Sequence, residues 1–119
     1  MDNRKNRGFI LNKHVKGRSA ENLAQIYFLN KGYIVCSNIS QQGCVDMIVM
    51  NEQGEIIKVD VKSVSRRKRD TFVISRSRTA LQRKLDIKIM YVDMEKFECY
   101  FYKENINHLK RRTQVEKIL

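Results

Sequence analysis

Two short apolar runs separated by a turn signal lie in the middle of the sequence. The runs are Val45–Met50 and Ile56–Lys62, and Asn51-Glu52-Gln53-Gly54 between them is typical of a turn in which Gly takes a positive φ. The spacing predicts an antiparallel hairpin. The first run is apolar on both faces except at Asp46, which predicts a central strand covered on both sides.

Charged residues interrupt both runs of this hairpin. Asp60 and Lys62 are two residues apart and therefore point to one face of a strand, while Val59 and Val61 point to the other. Asp46 lies in the first run, where a buried carboxylate is costly without a partner or a metal. Two carboxylates and a lysine on adjacent strands are typical of a site that binds a hard divalent cation and an attacking water.

The overall charge indicates the class of partner. The 119 residues, 42% of them hydrophobic, are enough for one core, so we expect a single domain over 1–119. The net charge of +11 favours phosphate backbones or anionic membrane surfaces. No apolar run approaches the ~18–20 residues that span a bilayer, which disfavours a membrane partner. An acidic cluster in a basic molecule indicates a metal-dependent enzyme that acts on a polyanion.

The N-terminus also bears on location. It is polar and basic and lacks the apolar segment of a secretory signal, so we expect a cytoplasmic protein, or one in the host cytoplasm if phage-encoded. The three cysteines show no CxxC spacing, and the two histidines lie at opposite ends of the chain, which disfavours a zinc site. We expect Cys36, Cys44 and Cys99 to be buried, reduced thiols.

The first third of the chain predicts a basic arm and then a helix. Residues 1–15 are either a solvated tail or an arm that lies on phosphates. Apolar residues at i, i+3 and i+4 spacing predict a helix from Ser19, with Ser19 in the N-cap region and Gly32 at the C′ position. Glu21 then falls in the first turn, where a negative charge is favourable without any further role. A strand is predicted at 33–36.

A dense basic loop at 65–70 follows the predicted hairpin. A short strand is predicted at 72–74, and Ser75 or Ser77 is expected to cap a short helix that ends near Lys84.

The last third predicts a second hairpin and a final helix. The hairpin strands are expected at 87–92 and 97–102, and apolar spacing predicts the helix at 106–119. The fold class is therefore α/β, a mixed sheet flanked by helices in the order α-β-β-β-(β)-α-β-β-α.

The order and spacing of these residues resemble the PD-(D/E)XK nuclease superfamily, and more closely the archaeal-type Holliday junction resolvases. The likeness covers about residues 16–92 and rests on five segments, 16–21, 31–35, 43–48, 59–62 and 72–75. Asp60 stands where the resolvases prefer Glu. The resemblance implies a restriction-endonuclease-like fold, a mixed sheet flanked by helices with an α-β-β-β-α-β core.

The resemblance also implies an active site. Glu21, Asp46, Asp60 and Lys62 would be catalytic. Mg²⁺ or Mn²⁺ would be held by Asp46, Asp60 and the main-chain carbonyl of Val61, with Glu21 joining directly or through a metal-bound water. Lys62 would orient the attacking water or stabilise the transition state.

The implied reaction is the hydrolysis of DNA phosphodiesters to 5′-phosphate and 3′-hydroxyl ends in branched four-way junctions, with no small-molecule cofactor. A homodimer is implied because paired nicks in a junction need two sites. Apolar residues in 97–102 and 106–119 could supply that interface or simply close the core.

Basic side chains near the predicted site are candidates for phosphate contacts. They are Lys16, Arg18, Arg66, Arg67, Lys68, Arg69, Arg76, Arg78 and Arg83. No base-reading pattern is visible, which favours recognition of shape over sequence.

Alternative functions remain open at this stage. A homing or repair-type endonuclease and a flap or single-strand nuclease fit the same residues, although so short a chain has little room for a sequence-reading domain. A non-catalytic nucleic-acid-binding protein whose acids serve only folding is the rival from another class.

Overall fold

The computed structural model describes residues 13–40, 42–66, 73–74, 77–103 and 114–119. The described helices and strands are α1 (Lys13–Asn30), β1 (Ile34–Ser37), β2 (Met47–Met50), β3 (Ile56–Ser63), β4 (Ser65–Arg66), β5 (Val73–Ile74), α2 (Ala80–Lys84), β6 (Ile87–Asp93), β7 (Glu98–Phe101) and β8 (Glu116–Lys117). Six strands form one mixed sheet in the order β1-β2-β3-β6-β7-β8, while β4 pairs with β5 separately. The predicted α/β class is confirmed.

Helix α1 begins earlier than the sequence pattern indicated. Its first described residue is Lys13, so Ser19 lies inside the helix, and the predicted N-cap at Ser19 is wrong. Lys and Arg are good helix formers and the chain has no proline to stop them, so the helix extends beyond its apolar stripe. Of the predicted basic arm, residues 13–15 are helical, and residues 1–12 lie outside the described part of the chain.

The predicted end of α1 at Gly32 is confirmed. Gly32 has φ +85°, its N–H donates to the Leu29 carbonyl at 3.0 Å, and the Tyr33 N–H donates to the Phe28 carbonyl at 3.0 Å. This pair of bonds is the Schellman motif, which needs a left-handed residue at C′. The chain therefore turns directly from α1 into β1.

The central hairpin forms as predicted. β2 and β3 pair antiparallel with Met47 opposite Val59, and β1 adds to β2 antiparallel at the edge of the sheet. The turn contains Gly54 at φ +84°. β2 is not covered on both faces, however, because Ile48 is 40% exposed on the face away from α1. The apolar residues on that face predicted that another element would pack against it, and no described element does.

Helix α2 connects β3 to its parallel neighbour β6. Its N-cap is Thr79, so the predicted cap at Ser77 is wrong, and Ser75 lies outside the described residues. The predicted second hairpin is confirmed, because β6 and β7 pair antiparallel. The predicted short strand is also found as β5, which pairs with β4 at the start of the predicted basic loop.

The described end of the chain is a strand and not the predicted helix. β8 pairs with β7, placing Glu116 opposite Cys99, and Ile118 is 4% exposed. The Lys31 ammonium lies 2.9 Å from the Glu116 carboxylate, which joins this strand to the end of α1. Pairing with the edge of β7 and burial of Ile118 in the core thus override local helical spacing, while residues 104–113 lie outside the described part of the chain.

The core lies mainly between α1 and the sheet. Ala24 and Phe28 of the helix pack with Val59 and Val61, whose side chains point away from Asp60 as the strand period predicted. Cys99 of β7 and Ile118, which follows β8, complete this core, whereas Phe97 and Leu119 of the same predicted segments are 42% and 70% exposed.

The cysteine prediction is correct in part. Cys99 is buried, Cys44 is half-buried and Cys36 is exposed, because Cys36 lies on the open face of the edge strand β1. All three are free thiols. No helix in the described ranges is long and apolar enough to cross a membrane.

Candidate active site

Asp46 and Asp60 meet at the end of the β2–β3 pairing. Asp46 precedes β2, and its N–H donates at 2.8 Å to the carbonyl of Val59, the residue that the register pairs with Met47. The Asp46 and Asp60 side chains are hydrogen-bonded to each other. Asp46 Oδ2 also accepts the Val61 N–H at 2.6 Å. The hairpin predicted from the sequence brings its two acids together.

Asp60 and Lys62 form an ion pair on one face of β3. Lys62 Nζ lies 3.1 Å from Asp60 Oδ2 and 3.3 Å from Oδ1. Asp60 is only 6% exposed, whereas the Lys62 side chain is 43% exposed. The lysine therefore satisfies a buried carboxylate while its ammonium reaches solvent, where an anionic ligand can approach.

Glu21 approaches the acid pair from the middle of α1. Burial raises the pKa of the Glu21 carboxyl, the charge of Arg18 opposes that rise, and the charge of Asp60 adds to it. Glu21 is the ninth residue of α1, so the predicted place in the first turn is wrong. A favourable interaction with the helix N-terminus does not account for it, because that effect fades within the first turn.

The Asp46 carboxyl holds a proton more tightly than an isolated carboxyl does. Its pKa is raised from 3.8 to about 7, and burial is the largest cause. The hydrogen bond from the Val61 N–H lowers it, whereas a hydrogen bond with Asp60 and the charges of Asp60 and Glu21 raise it. Near neutral pH the site therefore has a carboxyl whose proton a cation can replace.

Gln82 is a site residue that the sequence reading missed. It lies on α2, is 4% exposed, and its Nε2 donates to Asp60 Oδ2 at 2.7 Å and to the Cys44 carbonyl at 3.0 Å. The pattern Thr79-Ala80-Leu81-Gln82 is a capping box, which could have located the start of α2 and a fixed glutamine beside it. Its approach to Asp60 has no local sequence signal.

The acid pair is also a candidate metal centre. Within the described ranges, no group of three or more His, Cys, Asp or Glu side chains could hold a metal ion by itself. The donors present are the carboxylates of Asp46 and Asp60 and nearby backbone, which are hard oxygen ligands of the kind that Mg²⁺ and Mn²⁺ prefer. Asp46 has no described lysine or arginine bond of its own, and its raised pKa shows that added positive charge is favourable there. The residues fit a divalent cation held by two carboxylates, with Glu21 farther away.

The described candidates for phosphate contact lie on both helices. Arg18 is exposed on α1 and close enough to influence Glu21, and Lys16 is half-buried two residues earlier. Arg78 lies 3.7 Å from the Asp86 carboxylate and donates to the Ile87 carbonyl, while Arg83 donates to the Arg78 carbonyl.

The remaining candidates are not placed by the structure. Only the backbone of Arg66 is described, as part of β4, and Arg67, Lys68, Arg69 and Arg76 lie outside the described residues.

The fold and the acid pair define an α/β domain with a nuclease-like architecture. The particular likeness is to a solved bacterial homing endonuclease, I-Ssp6803I, at a TM-score of 0.61 and 20% sequence identity. The match covers 77% of this chain and 69% of that chain. No protein-family model and no curated protein matches the sequence. At this identity the likeness shows a shared fold.

Proposed function

We propose that this protein is a metal-dependent DNA endonuclease of the PD-(D/E)XK type. The observation that carries the proposal is the meeting of Asp46, Asp60 and Lys62 at one point of the central hairpin, inside a chain of net charge +11. A protein that only binds DNA gains nothing from the half-buried Asp46 beside the buried Asp60, because the two acids repel phosphate and cost folding free energy. The fold shared with an endonuclease supports the same conclusion.

Asp46 and Asp60 would hold Mg²⁺ or Mn²⁺ together with the main-chain carbonyl of Val61, and Glu21 would complete the site directly or through water. When bound, such a cation lowers the pKa of water and stabilises the charge that grows on the phosphate oxygens. The pKa of about 7 at Asp46 means that metal binding near neutral pH displaces a proton.

Lys62 has the second role in the proposed reaction. Its ammonium is tethered to Asp60 at 3.1 Å and is partly exposed, so it can donate to a phosphate oxygen or orient the attacking water. Arg18 and Lys16 on α1 can place the DNA backbone beside the acids, because Arg18 is close enough to Glu21 to affect it. Hydrolysis in this family leaves 5′-phosphate and 3′-hydroxyl ends, and we propose the same products here.

For the substrate we propose branched DNA, and first the four-way junction, on the basis of the resolvase-like motifs around Glu21, Asp46 and Asp60. A homodimer would then provide two sites for paired nicks. Duplex DNA is the second candidate, because the structural neighbour is a homing endonuclease. The length of this chain does not argue against a duplex substrate, since the structural match covers 69% of the homing endonuclease chain.

The experiment compares the wild type with Asp60→Asn on labelled four-way junction, flap, duplex and single strand, with Mg²⁺ or with EDTA. We expect cleavage by the wild type with Mg²⁺ and a loss of at least about a thousandfold in Asp60→Asn, with DNA binding retained. Asp86→Asn is the matched control, because the Asp86 carboxylate is 74% exposed and outside the acid pair. Asn also tolerates the positive φ of 57° found there.

The substrate that is cut decides the finer assignment. Symmetric paired nicks in the junction alone would establish a resolvase, whereas cleavage of duplex or flap would keep the nuclease and reject the junction. Tight binding without metal-dependent cleavage of any substrate, with Asp46→Ala and Asp60→Ala changing only stability, would leave the non-catalytic binding protein.

A further inference from the structure

Gln82 has every polar atom of its side chain engaged. The two hydrogens of its amide nitrogen go to Asp60 Oδ2 at 2.7 Å and to the Cys44 carbonyl at 3.0 Å. The side-chain oxygen of Gln82 accepts the Thr79 N–H at 3.1 Å, and the backbone N–H of Gln82 donates to Thr79 Oγ1 at 3.1 Å. A buried amide with this set of partners has one permitted orientation.

The capping box determines that orientation. The Thr79 N–H can only donate, so the atom of Gln82 that faces it must be the oxygen, and the nitrogen must face Asp60. A second contact holds the far end of α2, where Lys58 Nζ donates to the Leu85 carbonyl at 2.9 Å. The helix therefore presents a donor, at a fixed position, to the carboxylate of Asp60.

The same amide connects β3 with the segment that precedes β2. Cys44 lies two residues before Asp46 in that segment, and Asp60 lies on β3, so one side chain contacts both sides of the acid pair. A neutral donor also differs from Lys62, because it orients a carboxylate without cancelling the negative charge that attracts a cation.

We propose that Gln82 is a positioning residue for the metal site, holding Asp60 Oδ2 against α2 and fixing Asp60 relative to the segment that carries Asp46. This inference rests on the proposed function, since it assigns Gln82 to the cation site formed by those acids. Hydrogen-bonding partners of metal-binding carboxylates commonly change metal affinity by ten- to a hundredfold.

The test measures Mn²⁺ affinity by electron paramagnetic resonance in the full chain, without DNA. Gln82→Met keeps the approximate volume of the side chain and removes the donor to Asp60 without adding a charge. We expect its Mn²⁺ binding to be weaker by about tenfold or more. Gln82→Leu also removes the donor, is expected to weaken Mn²⁺ binding as well, and decides the question if Gln82→Met does not fold.

Thr79→Ala is the control for a purely structural role. It removes the hydroxyl that caps α2 but leaves the Thr79 N–H to orient Gln82. We expect a loss of stability in thermal unfolding, with Mn²⁺ affinity within about twofold of the wild type. Folded Gln82 variants that bind Mn²⁺ as tightly as the wild type would overturn the inference, as would an equal weakening in Thr79→Ala.

These outcomes separate the inference from the proposed function. A wild type that binds Mn²⁺ but cleaves no DNA would reject the nuclease, while the Gln82 variants would still decide the positioning role. A wild type that binds no Mn²⁺ would reject the metal site and Gln82's part in it together.

Discussion

At the scale of single residues, the fold holds the Asp46 carboxyl beside that of Asp60. This placement costs folding free energy when both are charged, and a proton or a bound cation removes the cost. Burial is the largest cause of the raised pKa of Asp46, and the charges of Asp60 and Glu21 add to it. The hairpin imposes this proximity, because Asp46 precedes Met47 and Asp60 follows Val59, and Met47 is paired with Val59. The arrangement is what a cation site requires and what a purely structural hairpin would avoid.

Asp46→Asn is therefore expected to stabilise the protein at pH 8. The folded chain keeps a proton at Asp46 up to a pKa of about 7, whereas the ordinary value is 3.8, so wild-type stability falls as pH rises between these values. The fully buried limit would be about 4 kcal/mol, and partial exposure reduces our expectation to about 1–2 kcal/mol. Denaturant unfolding at pH 4 and pH 8, without metal, measures the difference.

The pH dependence is the decisive part of this measurement. The gain should be mostly lost near pH 4, because the folded carboxyl is protonated there and the unfolded one, with an ordinary pKa of 3.8, is close to half-protonated. Asp86→Asn should show no comparable gain at pH 8. Equal effects of Asp46→Asn at both pH values, or a loss at pH 8, would contradict the assigned electrostatics.

At the scale of elements, the end of α1 depends on backbone geometry more than on side-chain contacts. An added Cβ at Gly32 would meet nothing within 4 Å, and yet the residue has φ +85°. Gly17 also has open space around it but lies inside α1, where Gly is less favourable than other residues. A Cβ would fit at both glycines, so a difference between their substitutions reports on backbone conformation and not on steric clashes.

The same substitution should have opposite signs at these two positions. Gly32→Ala is expected to lower the free energy of unfolding by about 1 kcal/mol, because Ala is strained in the left-handed region. Gly17→Ala is expected to raise it by about 0.5–1 kcal/mol, because the helix interior favours Ala. Urea unfolding of both variants provides the comparison, and a stabilising Gly32→Ala would argue against the Schellman motif.

At the scale of the whole molecule, the net charge of +11 predicts DNA binding that weakens steeply with salt. Each neutralised phosphate releases counterions and contributes about −0.9 to the slope of log K against log salt for duplex DNA. The acid pair accounts for two of the 13 Asp and Glu residues, and the net positive charge of the whole chain favours contacts with a phosphate backbone. In the proposed function, the overall charge would serve binding and the acid pair would serve cleavage.

Arg18→Ala should reduce this salt slope by about 0.9, in line with the loss of one phosphate contact. Lys117→Ala is the matched control, because Lys117 lies on the distant edge strand β8 and is already 3.3 Å from the Glu98 carboxylate. Binding to a duplex at several salt concentrations, in EDTA to prevent cleavage, measures both slopes. An unchanged slope in Arg18→Ala would remove this residue from the DNA-binding surface.

Local physical chemistry made much of this protein readable from its sequence. The turn at Gly54, the left-handed Gly32 and the two-residue period that joins Asp60 to Lys62 are properties of neighbouring residues, and all are confirmed. The hairpin also brought Asp46 near Asp60, because antiparallel pairing across a short turn leaves few registers.

Only the tertiary structure decided the remainder. Gln82 reaches Asp60 across 22 residues because α2 packs against β6, the parallel neighbour of β3, and Glu21 approaches the pair from inside a longer α1. Ile118 follows a strand and not a helix, because β8 pairs with the edge of β7 and the core accepts the Ile118 side chain. These outcomes depend on how separate elements dock, and docking free energy comes from long-range burial that local sequence patterns do not contain.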